Sequence, residues 1–183
     1  LKNLIITNNS SGRGGGIGAY YSKLLISNSQ ITNNESGNGG GIFLECSEAK
    51  ISNSIIDSNI SSGAGGGIKT SHGGNDCIAN GGFDFLEITN STISNNNSGW
   101  GGGGMRLGGG ISNIKNCLFY NNVSGAPGAA ISTSGMSATN PARVNLTNCS
   151  LIENYGPSYE GVSGYEAYGS YVQLFSNYYS HYY

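Results

Sequence analysis

Three observations predict an all-β chain wound as a right-handed, single-stranded parallel β-helix of six to seven coils. A unit of about 25 residues recurs along the 183-residue sequence, its apolar residues alternate over short runs, and glycine clusters and asparagines punctuate it at fixed places. A unit this short cannot close a core by itself, so copies must stack and bury the same columns against one another. The right hand follows from the strong preference of parallel crossovers for that turn.

The columns are read directly from the alignment of copies. Leu1, Ile26, Ile51, Ile88, Ile114 and Leu146 open successive copies, and five residues later Ile6, Ile31, Ile56, Ile93, Phe119 and Leu151 form a second apolar column. Three residues further, Asn9, Asn34, Asn59, Asn96, Asn122 and Asn154 form an asparagine column. A glycine cluster ending in an apolar residue follows, as in Gly14-Gly15-Gly16-Ile17, Gly39-Gly40-Gly41-Ile42, Gly65-Gly66-Gly67-Ile68 and Gly102-Gly103-Gly104-Met105, softened to Gly128-Ala129-Ala130-Ile131 in the fifth copy. A seventh, partial copy in residues 172–183 puts Leu174 in the first apolar column and Tyr179 in the second. Copies start 25, 25, 37, 26, 32 and 28 residues apart, so the excess falls in insertions near residues 71–83 and 135–142. The reading is one domain, residues 1–183, ending in a Tyr-rich segment, 165–183.

Alternation such as Leu24 and Ile26, Ile42 and Leu44, or Met105 and Leu107 has a period of two, which is strand spacing. Two or three such strands per unit, joined by Gly and Asn corners, would place each residue ~4.8 Å from its equivalent one coil away. Alignment columns then become ladders. The Ile26, Ile51, Ile88 and Ile114 ladder fills the interior, and the Asn34, Asn59, Asn96 and Asn122 amides can hydrogen-bond to each other along the axis. Glycine supplies the positive-φ corners.

Composition removes several functions. Only 10% of residues are charged and the net charge is -2, which leaves no basic footprint for nucleic acid. No apolar run approaches the ~20 residues of a membrane-spanning helix, so no membrane insertion is expected. The glycine clusters lack the Gly-Lys-Ser/Thr ending of a phosphate-binding loop and recur in every copy, so their role is structural and no cofactor is implied.

Cys117 and Cys149 occupy one column on consecutive copies, within the Cα range of a disulfide. Cys46 and Cys77 also lie on adjacent units. The expectation is two bridges, Cys46 with Cys77 and Cys117 with Cys149, and an oxidising, extracellular setting; the alternative is four buried thiols acting as small apolar residues.

The pairing of Gly-Gly-Gly-Ile with an apolar residue three before Asn, as in Ile31-Thr32-Asn33-Asn34 and Phe119-Tyr120-Asn121-Asn122, resembles the GGAI and FxxN repeats of the polymorphic outer-membrane proteins. It is similar more broadly to the parallel β-helix repeats of adhesin-like bacterial surface proteins, over roughly residues 1 to 162. The resemblance implies a secreted passenger at the cell surface, with an adhesive or structural role.

Polysaccharide-cleaving β-helices need carboxylates grouped on one face. The ten acids here share no column, and the one local grouping is His72-Gly73-Gly74-Asn75-Asp76-Cys77 with Asp84 downstream. A tethered, solvated loop is the plainer reading, so no catalytic residue, metal or cofactor is assigned, with a polysaccharide lyase or hydrolase as the distant alternative. The ends suggest more. An open stack exposes strand edges, Leu1, Leu4 and Ile6 stand on the first coil, and Leu174, Phe175, Tyr178, Tyr179, Tyr182 and Tyr183 crowd the last segment. Tyrosine is favoured at interfaces. The leading functional expectation is therefore a head-to-tail homopolymer, a surface filament or fibre. The alternative is an adhesin-like segment binding a surface or polysaccharide ligand.

Overall fold

The computed structural model describes residues 1–71, 77, 84–134 and 141–157 in full, and the backbone alone of Val162–Tyr165, Tyr171–Phe175 and Tyr179–His181. The chain is all-β, a parallel β-helix whose coils have four sides, each side a parallel sheet running the length of the stack. The first sheet contains β1 (Ile5–Thr7), β5 (Gln30–Thr32), β9 (Ile55–Asp57), β13 (Thr92–Ser94), β17 (Leu118–Tyr120), β21 (Ser150–Ile152) and β24 (Tyr179–His181). The second, whose strands shorten to two residues from the third coil on, contains β2 (Ser10–Arg13), β6 (Glu35–Asn38), β10 (Ile60–Ser61), β14 (Asn97–Ser98) and β18 (Val123–Ser124). The third contains β3 (Ile17–Tyr20), β7 (Ile42–Glu45), β11 (Ile68–Ser71), β15 (Met105–Leu107), β19 (Ile131–Ser134) and β22 (Val162–Tyr165). The fourth contains β4 (Lys23–Ser27), β8 (Glu48–Ser52), β12 (Phe85–Thr89), β16 (Gly110–Lys115), β20 (Ala142–Thr147) and β23 (Tyr171–Phe175).

The register is that of the alignment. Ile26 pairs with Ile51, Ile51 with Ile88, Ile88 with Ile114, and Ile114 with Leu146. Ile31, Ile56, Ile93, Phe119 and Leu151 are likewise paired in sequence. Both ladders join one buried core with Ile42, Ile68, Met105 and Ile131. Each fully buried aliphatic side chain contributes ~1.5–3 kcal/mol, and a column of them ties every coil to two others. One position differs from expectation. Leu174 does pair with Leu146, but Leu151 pairs with Ser180 and Ser150 with Tyr179, so Tyr179 stands one place off the second apolar column. The second insertion ends before Ala142, which already belongs to β20 and is buried.

The asparagine column is a closed hydrogen-bond ladder. Asn34 Nδ2 donates to Asn59 Oδ1, Asn59 Nδ2 to Asn96 Oδ1, and Asn96 Nδ2 to Asn122 Oδ1, each at 3.0 Å. The same Oδ1 atoms accept the backbone N–H of the preceding coil's Asn, at 3.0 to 3.1 Å. The second amide hydrogen goes to the carbonyl of an apolar-column residue, Asn59 to Ile31 and Asn96 to Ile56, each at 2.9 Å. Each internal amide thus meets its donors and acceptors away from water, as burial demands. These asparagines head Asn-x-Ser sequons, yet Asn34, Asn59, Asn96 and Asn122 are buried and engaged.

The corners also differ in part from expectation. Glycine turns one corner of the coil, at Gly14, Gly39, Gly65, Gly102 and Gly128, and takes a positive φ again at Gly110, where β16 begins. A second corner is made by Asn3, Asn28, Asn53, Asn90, Asn116 and Asn148, and a third by Asn8, Asn33, Ser58, Asn95, Asn121 and Glu153, all with φ between 48° and 59°. Asparagine is the non-glycine residue that most readily enters this left-handed region. The middle glycine of each cluster answers to space instead: a Cβ on Gly40 would lie 2.4 Å from the Gly66 carbonyl oxygen of the next coil.

Candidate functional site

Where interior columns repeat one chemistry, the outward column of the third sheet does not. Its in-register members are Gly18, Phe43, Lys69, Arg106, Ser132 and Ser163. Phe43 faces outward but is buried, because Arg13 lies 5.4 Å above its ring and Tyr20 stacks beside it at 5.7 Å. Arg13 in turn pairs with Glu45 at 3.1 Å.

Lys69 and Arg106 come next. They sit opposite one another on β11 and β15, and neither belongs to an ion pair among the described residues. Neutral acceptors hold them: Lys69 Nζ donates to Asn38 Oδ1 at 2.6 Å, and Arg106 Nη1 to Ser132 Oγ at 2.5 Å. Burial pushes both groups below their ordinary pKa, and for Lys69 the neighbouring Arg106 and Arg13 add to that push. Glu45 opposes it from a distance while engaged with Arg13. Two half-buried like charges on adjacent strands, fixed but not neutralised, are an unfavourable arrangement that an arriving anion would relieve.

These cations line a groove of about 410 Å³ with Asn38, Gly63, Ser71, Trp100, Gly108 and Ser134. Trp100 lies at the turn after β14 and is 70% exposed. Its backbone is held by an N–H donated to the Gly63 carbonyl at 2.8 Å and a carbonyl that accepts from Ser98 Oγ at 2.6 Å. The indole therefore stands on a fixed corner with its apolar surface in water, an uncommon and informative exposure. A second depression, of about 460 Å³, lies over the Asn90, Asn116 and Asn148 corner, where Asn116 Nδ2 donates to Asn90 Oδ1 at 3.1 Å. Its amides satisfy one another, so it offers less to a ligand.

Cys46 and Cys77 are joined in a disulfide with Cα atoms 5.4 Å apart. Cys117 and Cys149 are in register but are free, buried thiols, contrary to the expected bridge. In-register Cβ atoms on parallel strands stay near the ~4.8 Å strand spacing, beyond the ~3.5–4.5 Å that a bridge needs. The two residues instead continue the column of Ser29, Ser54 and Ser91. Each of those hydroxyls donates to the carbonyl two residues before it, and Cys117 and Cys149 Sγ do the same toward Lys115 and Thr147. The hydrogen bond shared with Cys149, and then burial, push the Cys117 thiol up.

Asp84 breaks another serine column. Ser22 N–H donates to Ser47 Oγ at 3.2 Å, and Ser47 N–H donates to Asp84 Oδ1 at 3.0 Å. Asp84 is buried, its Oδ2 has no partner among the described residues, and burial pushes its carboxyl up to about 7 against the pull of the Ser47 N–H. His72 and Asp76, grouped with it by sequence, lie outside the described residues, as do Tyr178, Tyr182 and Tyr183. The backbones of Leu174, Phe175 and Tyr179 pair onto β20 and β21. On the first coil Leu1, Leu4 and Ile5 are exposed, and Ile6 packs partly against the core. Among the described residues no three His, Cys, Asp or Glu side chains come together as metal ligands.

Sequence reasoning missed Lys69, Arg106 and Trp100. The signal is present: Lys69 and Arg106 both follow the apolar residue that ends a glycine cluster, so they share a column, but that column holds no single residue type. Comparison with protein-family models, curated proteins and solved structures finds no match to this chain.

Proposed function

We propose that this chain is a non-enzymatic, extracellular binding solenoid, an adhesin-like rod segment whose lateral groove takes a polymer ligand. The observation that carries the reading is the pair Lys69 and Arg106, held side by side by Asn38 and Ser132 with neither in an ion pair among the described residues, beside an exposed Trp100. Preformed, mostly fixed groups with unmet charge are what a recognition site presents before its ligand arrives. The Cys46 to Cys77 disulfide fits an oxidising compartment, in line with display outside the cytosol. The test is retention of the full chain on a panel of immobilised surface polymers, compared with Trp100→Ala. Binding to at least one polymer that falls ten-fold or more in the variant supports the reading; binding unaffected by the variant overturns it.

A head-to-tail filament is a second proposal, supported by the first coil, where Leu1 and Leu4 are 52% and 39% exposed although their equivalents Ile26 and Ser29 are buried. That edge would accept a further coil of the same chain or a coil of another copy. Electron microscopy separates the two: copies that elongate into rods at raised concentration support the filament, and particles of constant length count against it.

A further inference from the structure

We propose that the ligand of the groove is a polysaccharide bearing sugar carboxylates, with the carboxylate received by Lys69 and Arg106 and a pyranose face laid on Trp100. This rests on the binding reading above and names its ligand class. First, the groove draws its lining from four successive coils: Asn38, then Gly63, Lys69 and Ser71, then Trp100, Arg106 and Gly108, then Ser134. At the strand spacing this is a span of ~14 Å along the stack, longer than one sugar ring, so the matching occupant is a chain lying along the axis.

Second, the chemistry is divided between the two kinds of contact that an acidic sugar needs. Arg106 uses Nη1 on Ser132 and retains further N–H donors in the fork that suits a carboxylate. Lys69 adds a second positive point held by Asn38. Trp100 offers a flat, apolar surface that has no ring or cation partner among the described residues. Ser71 and Ser134 line the groove beside these, and their hydroxyls are suited to sugar hydroxyls. Third, the arrangement is braced from below. A Cβ on Gly101 would lie 2.9 Å from Arg106 Nη1 and 2.9 Å from Ser132 Oγ, so the guanidinium tip packs against the Gly101 backbone.

The test is affinity electrophoresis of the full chain through gels containing alginate, in which every ring carries a carboxylate, dextran sulfate, or unmodified dextran. The expected result is retardation by alginate that weakens as salt rises, with little or none by dextran. Lys69→Gln, Arg106→Gln and Trp100→Ala should each reduce the alginate affinity ten-fold or more, while Lys50→Gln, which removes a cation paired to Glu87 on the fourth sheet, leaves it unchanged. Thermal unfolding midpoints near wild type establish that the variants are folded. Dextran bound as tightly as alginate, with loss in Trp100→Ala, overturns the carboxylate assignment and leaves the groove standing. Retardation by dextran sulfate alone also overturns it, in favour of sulfate. Alginate binding that survives all three groove substitutions overturns the groove and the ligand class together.

Discussion

The buried asparagine column and the outward column of the third sheet run through the same coils, in the same register, and obey opposite rules. Asn34, Asn59, Asn96 and Asn122 are one residue type with every amide group satisfied by the coil on either side. Gly18, Phe43, Lys69, Arg106 and Ser132 are five types, two of them cations that the described residues do not neutralise. Repetition is enforced where a side chain must complete its neighbour's hydrogen bonds. It lapses where a side chain points away from the core, and there variation is free to build a site. In a solenoid, then, departure from the repeat is the feature to search for function.

The sharpest way to break this contrast is to put an apolar residue into the ladder. Asn59→Leu conserves approximate volume but leaves the Asn34 N–H and Nδ2, and the Ile31 carbonyl, without their partners. At ~1–3 kcal/mol for each orphaned buried group, the loss is on the order of 4 kcal/mol or more. Chemical denaturation of the variant checks it, and a loss below ~1 kcal/mol would mean that the ladder records packing more than bonding.

Asp84 tests the rule from the other side, as a charged residue placed in a serine column. Its folded pKa of about 7 lies above the ordinary value of 3.8. The folded chain therefore holds a proton that the unfolded chain has released between these values. The associated stability is complete below about pH 4, declines as pH rises through 7, and is absent above it. A shift of this size corresponds to a change on the order of 4 kcal/mol. Asp84→Ser restores the column chemistry of Ser22 and Ser47. The variant should lose this pH dependence and be more stable than wild type at pH 8, as read by thermal unfolding across the range; equal slopes in the two proteins would exclude Asp84 as the cause.

These two columns also explain what the sequence alone could carry. The apolar ladders, the asparagine ladder and the coil register were legible because each is a column of one chemistry at fixed spacing. The second sheet was not, since strands such as Ile60–Ser61 and Asn97–Ser98 turn a serine inward and hold only two residues. No alternation survives in so short a run, and four sides were counted as two or three. The Cys117 to Cys149 bridge failed because Cα spacing was considered without the parallel direction of the Cβ bonds. The groove is hidden for the reason that makes it a candidate: Lys69 and Arg106 match each other but neither Phe43 before them nor Ser132 after them, and Trp100 sits at a turn with no aromatic equivalent in other copies.

The free cysteines give a smaller test. Cys117 and Cys149 replace serine at the end of the column begun by Ser29, Ser54 and Ser91, and their Sγ atoms keep the serine contact to the carbonyl two residues back. Cys117→Ser with Cys149→Ser should therefore change stability by less than ~1 kcal/mol, since an oxygen can take the same bonds at shorter range. Mass spectrometry after mild oxidation should find no Cys117 to Cys149 link in the wild-type chain. A large destabilisation of the double variant would show that sulfur volume, not column chemistry, holds this corner.

Lys69→Gln carries the comparison to its finest point, because here stability and binding should move in opposite directions. Removing an interior ladder group costs stability outright, whereas Lys69 is half-buried beside Arg106 and held by a neutral amide, so its charge opposes folding. Glutamine can still donate to Asn38 and brings no repulsion. The unliganded variant should be as stable as wild type or more stable by a few tenths of a kcal/mol, and the gain should shrink as salt screens the pair. Alginate affinity should fall in the same protein. That pairing is the signature of a residue kept for a ligand at some cost to the fold, and it is read from two measurements on one sample, a denaturation curve and a binding isotherm. A variant that loses stability and binding together would instead make Lys69 a structural member of the third sheet, governed by the same rule as the asparagines inside.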